Sequence, residues 1–246
     1  MDSTMQKLSL TADLKETGHR AFAGAVAGFL CGGLIGGVGG RLAMFLLRVT
    51  SGPTVMGVES DDGFVIGSFT SSTGFLVLFT AALGLVGGLI YTGARGWLHD
   101  RFRPHITAGL FALVGGALIV HPQGVDFTLI KPQSLAIGLF VLLPGLYGYY
   151  VAKVVDRLLD RPVGRFAPWM GIVLVLVPVV FMGTGANGLG GILVALLVVG
   201  WLVGRRIRFL RGLPSSVWVT WLGTAVLGLI GGASAVFLVQ DVLEIL

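Results

Sequence analysis

Seven stretches of mostly apolar residues, 20–48, 72–93, 105–121, 134–155, 167–183, 188–204 and 217–239, divide this 246-residue chain. Each is close to the roughly 20 residues that an α-helix needs to cross a ~30 Å hydrocarbon layer. Charged residues make up only 12% of the chain, against roughly a quarter in an ordinary soluble domain, so lipid rather than water is the expected solvent. The pattern predicts an all-α, polytopic membrane protein: one domain over residues 1–246, in the plasma membrane. The first run is too long for a signal peptide, and no cleaved leader is expected.

Charge gives the runs a direction. The segments 94–104, 156–166 and 205–216 carry Arg95, Arg101, Arg103, Arg157, Arg161, Arg165 and four further arginines. The alternate segments 49–71 and 184–187 carry no Lys or Arg, and 122–133 carries only Lys131. Basic loops stay on the cytoplasmic side. Residues 1–19, with Lys7 and Lys15, are therefore expected in the cytoplasm, and the C-terminus, with Asp241 and Glu244, outside. The same distribution accounts for the net charge of +5 through the membrane, without nucleic acid as a partner.

In "AGAVAGFLCGGLIGGVGGR" glycines recur every four residues at 24, 28, 32, 36 and 40, a smooth stripe for close helix contact. Matching small faces stand at Gly84 and Gly88, Ala112 and Gly116, and Gly228 and Gly232. They predict packing within the chain, with a homo-oligomer seam as the alternative.

Arg41, which ends this stripe, is costly at membrane depth, by at least ~2.5 kcal/mol without a partner. The nearest acids on the expected outer side are in "GVESDDGFVIGSFT", which places Glu59, Asp61 and Asp62 within four positions. One reading is a salt-bridged cap on Arg41 or Arg48. Another is chemical, since crowded acids raise one another's pKa and one of them can stay protonated. The next outer loop, "HPQGVDFTLIKPQS", places Asp126 beside Phe127 in similar apolar company. Pro144 is expected to break or bend the helix below it, with Tyr147 toward the bundle interior.

Other chemistries lack their residues. The single cysteine, Cys31, excludes disulfides and Cys-ligated clusters, and no His-Glu-x-x-His or Asp-Asp-x-x-Asp motif occurs, so neither a metal nor a cofactor is expected. A channel needs polar residues along several helices, and "GIVLVLVPVVFMG" and "GGILVALLVVGWLVG" offer almost none; inverted repeats of broken, polar helices, the sign of a transporter, are not evident, so a small transporter or channel ranks behind the readings below.

"GGRLAMFLLRVTS", "DDGFVIGSFT" and "GVDFTLIKPQSLAIGLFVLLPGLYG" resemble segments of small integral membrane proteins of actinobacteria, a likeness covering residues 30–155. The size, span number and outer acids also resemble those of small membrane-bound terpene cyclases, the bacterial drimentine and xiamycin enzymes and their fungal meroterpenoid counterparts. That resemblance implies protonation of an alkene or epoxide on a lipophilic, prenylated small molecule drawn from the membrane lipid. The acid would be Glu59, Asp61, Asp62 or Asp126, which the resemblance does not rank, and Arg41, Phe64, Phe69, Phe127 and Tyr147 would line the substrate site. The competing class is a non-enzymatic membrane protein with a structural or partner-binding role.

Overall fold

Where the apolar runs are described they form helices, and among the described residues no strand occurs. A computed structural model describes residues 3–51, 71–124, 127, 131–161, 164, 166–171, 173–174 and 216–246. The first helix, α1 (Ser3–Cys31), continues through a π-helical stretch (Gly32–Gly39) into α2 (Gly40–Ser51). Then come α3 (Ser71–Ala94), two short 3₁₀ turns, α4 (Arg103–Ile119), α5 (Gln133–Leu159) and α6 (Ser216–Ile245). Among the described residues five helical stretches are long and apolar enough to cross a membrane: Lys15–Ser51, Gly74–Trp97, Asp100–Ile119, Gln133–Leu159 and Thr220–Ile245. They coincide with the first four expected spans and the last. The expected spans 167–183 and 188–204 lie mostly outside the described residues.

Glycine determines how closely α1 and α3 approach. A Cβ added at Gly28 would run into Gly84 O, and one at Gly88 into Gly24 O. The two backbones are in direct contact, as small-residue faces allow in lipid, where dispersion and not water exclusion drives association. The α1 stripe is thereby taken up within the chain. It stays smooth through the π-helical stretch, "GGLIGGVG", where a Cβ at Gly37 would lie 2.8 Å from Val77 Cα.

The last helix uses different glycines from those expected. Gly228 and Gly232 have nothing within 4 Å of an added Cβ, whereas Gly231 packs on Leu110 and Gly223 meets the ring of Trp97. The rotation of α6 is fixed by these bulky partners on α4 and its leading turn, with Thr224 Oγ1 donating to Trp97 O at 2.8 Å. Pro144 does not break the helix that carries it. Helix α5 is continuous through it, and an added Cβ at Gly115 of α4 would lie 2.5 Å from Pro144 Cβ. A glycine opposite makes room for the ring, so the helix persists.

The contacts orient every element. At one end Ser51, on α2, holds the backbone of Lys131: its Oγ donates to Lys131 O at 2.7 Å and accepts from Lys131 N at 3.0 Å. At the other end Arg95 and Arg103 meet Asp156 of α5. Helix α6 starts beside Trp97, at the Asp156 end, and reaches Val120 and Phe127, at the Lys131 end, through Leu238. It therefore runs parallel to α4.

Candidate functional site

The Lys131 end is where the sequence places its chemistry. The segments 49–71 and 122–133 begin and end there together, because Ser51 and Lys131 are bonded across 80 positions of sequence. Glu59, Asp61, Asp62, Phe64, Phe69 and Asp126 themselves lie outside the described residues.

The described members of the expected site are distributed through the bundle. Phe127 is 2% exposed, and its ring meets Phe140 edge-on with centroids 5.5 Å apart, in a cluster with Leu47, Val120 and Leu238. Gln133 Nε2 donates to Phe127 O at 3.0 Å and fixes the turn that carries it. Tyr147 belongs to a second cluster, with Ala27, Cys31, Tyr91 and Val151. Its hydroxyl donates to Gly84 O at 2.5 Å, and its ring meets Phe111 edge-on. Both rings pack helices together and are not gathered at one face. Arg41 is half-buried near the start of α2, with Nε and Nη2 shielded from solvent.

The most developed polar arrangement is at the opposite end, and the sequence pattern did not single it out. Asp156, on the last turn of α5, accepts from Arg95 Nε at 2.7 Å through Oδ1, with Tyr91 OH at 3.4 Å from the same oxygen. Its Oδ2 lies 3.5 Å from Arg103 Nη1. Arg103 also pairs with Asp100, three residues before it, and is only 8% exposed. Two cations and two carboxylates thus sum to zero charge, joining α3, the turn at 100–102, α4 and α5. Helix polarity assists: Arg95 immediately follows the C-terminus of α3, where the dipole favours a cation.

The signal for this cluster was present. Asp156 is the only acid within α5, and Tyr91 and Arg95 share one helical face at a spacing of four. Counting Asp156 with the basic loop that follows it conceals the pairing. Chemically, a carboxylate held between two guanidinium groups is suited to joining helices.

Among the described residues no group of three or more His, Cys, Asp or Glu side chains is arranged to hold a metal ion. No family model matches the chain, and neither a curated protein nor a solved structure matches it.

Proposed function

We propose that this membrane protein crosses the plasma membrane seven times, with its Asp156 end in the cytoplasm, and that its Lys131 end performs acid-initiated cyclisation of a prenylated, lipophilic substrate. Direction supports the span number. Helix α5 finishes at the Asp156 end and α6 begins there, which fits an even number of crossings between them, and the sequence offers two runs, 167–183 and 188–204. The side follows from the basic residues at the Asp156 end. Labelling checks it: with Cys31 replaced by alanine, a cysteine at the exposed His121 should react with an impermeant maleimide in intact cells, and one at the exposed His99 should not. The reverse result overturns the orientation.

The observation that carries the catalytic reading is the Ser51–Lys131 bond, which brings the bases of the two acid-bearing loops together at one end. A carboxyl there would transfer its proton to a substrate alkene or epoxide. The resulting carbocation closes a ring by forming a C–C bond, and loss of a proton from carbon restores the acid, so substrate and product are isomers. With Phe127 and Tyr147 committed to packing, Phe64 and Phe69 are the aromatic residues left to shelter the cation.

Asp62→Asn or Asp126→Asn keeps shape and polarity but removes the transferable proton, so turnover should fall ~10²-fold or more with folding retained. Glu59→Gln and Asp61→Asn should lower thermal stability if these acids balance Arg41 instead. The assay offers farnesylated and geranylgeranylated aromatic compounds to the purified protein and looks for products of unchanged mass and altered retention. Equal turnover in all four variants rejects the acid assignment, and absence of any product favours the second reading. That reading is a non-enzymatic, partner-binding membrane protein, and it is favoured by the commitment of both described aromatic residues to packing.

A further inference from the structure

The face of α5 turned away from the bundle changes character in a regular order. Leu142 and Leu146, 53% and 38% exposed, come first; Tyr149 and the exposed Tyr150 follow; Lys153 and the exposed Arg157 come last. At 100° per residue all six lie on one side of the helix, opposite Tyr147, Val151 and Val155, which face the core. The order runs from hydrocarbon to amphipathic ring to cation toward the Asp156 end.

Among the described residues no carboxylate pairs with the cations there. Asp156, next to Arg157 and three residues after Lys153, is engaged by Arg95 and Arg103; Asp160, on the same side at the turn that ends α5, is exposed and outside salt-bridge distance of either cation. Among the described residues neither Lys153 nor Arg157 has a carboxylate within salt-bridge distance. Lys153 is nevertheless held in place. Its Nζ stands 4.7 Å from the centre of the Tyr149 ring, and that ring is braced edge-on by His105 of α4 at 5.5 Å and by Tyr150 at 5.4 Å. A cation fixed over an aromatic face loses little entropy on meeting an anion.

We propose that this face is a binding site for one anionic phospholipid, its phosphate between Lys153 and Arg157 and an acyl chain along Leu146 and Leu142. The sequence of chemistry along the helix matches that along the lipid, and the spare positive charge selects an anionic headgroup over a zwitterionic one. Each cation near an anionic headgroup strengthens binding about fivefold, so loss of both should weaken it roughly thirtyfold.

Native mass spectrometry of the full chain, released from micelles containing phosphatidylglycerol or phosphatidylcholine, tests this directly. The wild-type protein should retain phosphatidylglycerol preferentially. Lys153→Gln with Arg157→Gln should weaken that retention roughly thirtyfold, while Lys15→Gln, an exposed cation outside the face, should leave it unchanged. Should the double variant fail to fold, Arg157→Gln alone changes only an exposed side chain and should weaken retention about fivefold. Equal retention of phosphatidylcholine, unchanged binding in the variants, or displacement of the lipid by millimolar inorganic phosphate would each overturn the assignment.

Discussion

Gly28→Leu is expected to leave little folded protein. A Cβ at Gly28 would collide with Gly84 O and lie 2.9 Å from Gly84 C and 3.0 Å from Gly88 Cα. These are backbone atoms, held by the hydrogen bonds of α3, so none can rotate aside as a flexible side chain would. The helices would have to separate, and with them the contacts from Gly24 to Gly32. Overpacking of a tight core costs about 1–3 kcal/mol where side chains can adjust, and a backbone seam gives less. At roughly 2–4 °C per kcal/mol for a chain of this size, the unfolding midpoint should drop by about 10 °C or more, with loss of a monodisperse peak in detergent. Gly138→Ala is the control, because nothing lies within 4 Å of a Cβ there. A wild-type midpoint for Gly28→Leu would mean that α1 and α3 do not meet at this face.

Asp156→Ala should have the next largest effect, at roughly 2–3 kcal/mol. Removing one partner of a buried ion pair costs about 3–5 kcal/mol because the other charge is stranded. The discount is for exposure: the Asp156 side chain is 28% accessible and that of Arg95 33%. Arg103, at 9%, is the stranded charge, left with Asp100 alone. The double substitution Arg103→Met with Asp156→Leu should recover much of the loss, since two apolar side chains leave nothing unpaired. Thermal unfolding of the two single variants and the double variant gives the coupling. A change below about 0.5 kcal/mol for Asp156→Ala would reduce the pair to the worth of an ordinary surface contact.

Helix existence was legible because a ~30 Å apolar layer imposes length and composition on anything that crosses it. The glycine spacing identified the buried side of α1 for a similar reason, since only small residues permit backbone contact. It could not identify the buried side of α6. That helix carries glycines over half its circumference, and Gly223 and Gly231 rather than Gly228 and Gly232 face inward because Trp97 and Leu110 stand opposite them. Tyr147 was legible as interior but not as packed, since its hydroxyl finds Gly84 O, a backbone group that no side-chain pattern marks. Pro144 signalled a break or a bend; the helix is not broken, and Gly115 on the neighbouring helix leaves room for the ring. For the candidate site, the pairing of loop bases at Ser51 and Lys131 agrees with the expected sharing of one end. The Asp156 cluster went unread because its members come from three separate apolar runs and their flanks.

The glycine seam between α1 and α3 also bears on biogenesis. These two helices leave the ribosome before the other described helices, and their backbones meet directly, from Gly24 against Gly88 to Gly37 against Val77. Their association requires no residue made later. Helix α6, made after the other described helices and largely exposed along Thr220–Ile245, packs on α4 along a few glycines and Leu238. The order in which the ribosome delivers the chain thus matches the order in which its contacts become available, and the translocon can release an already paired hairpin as a template for the remaining helices.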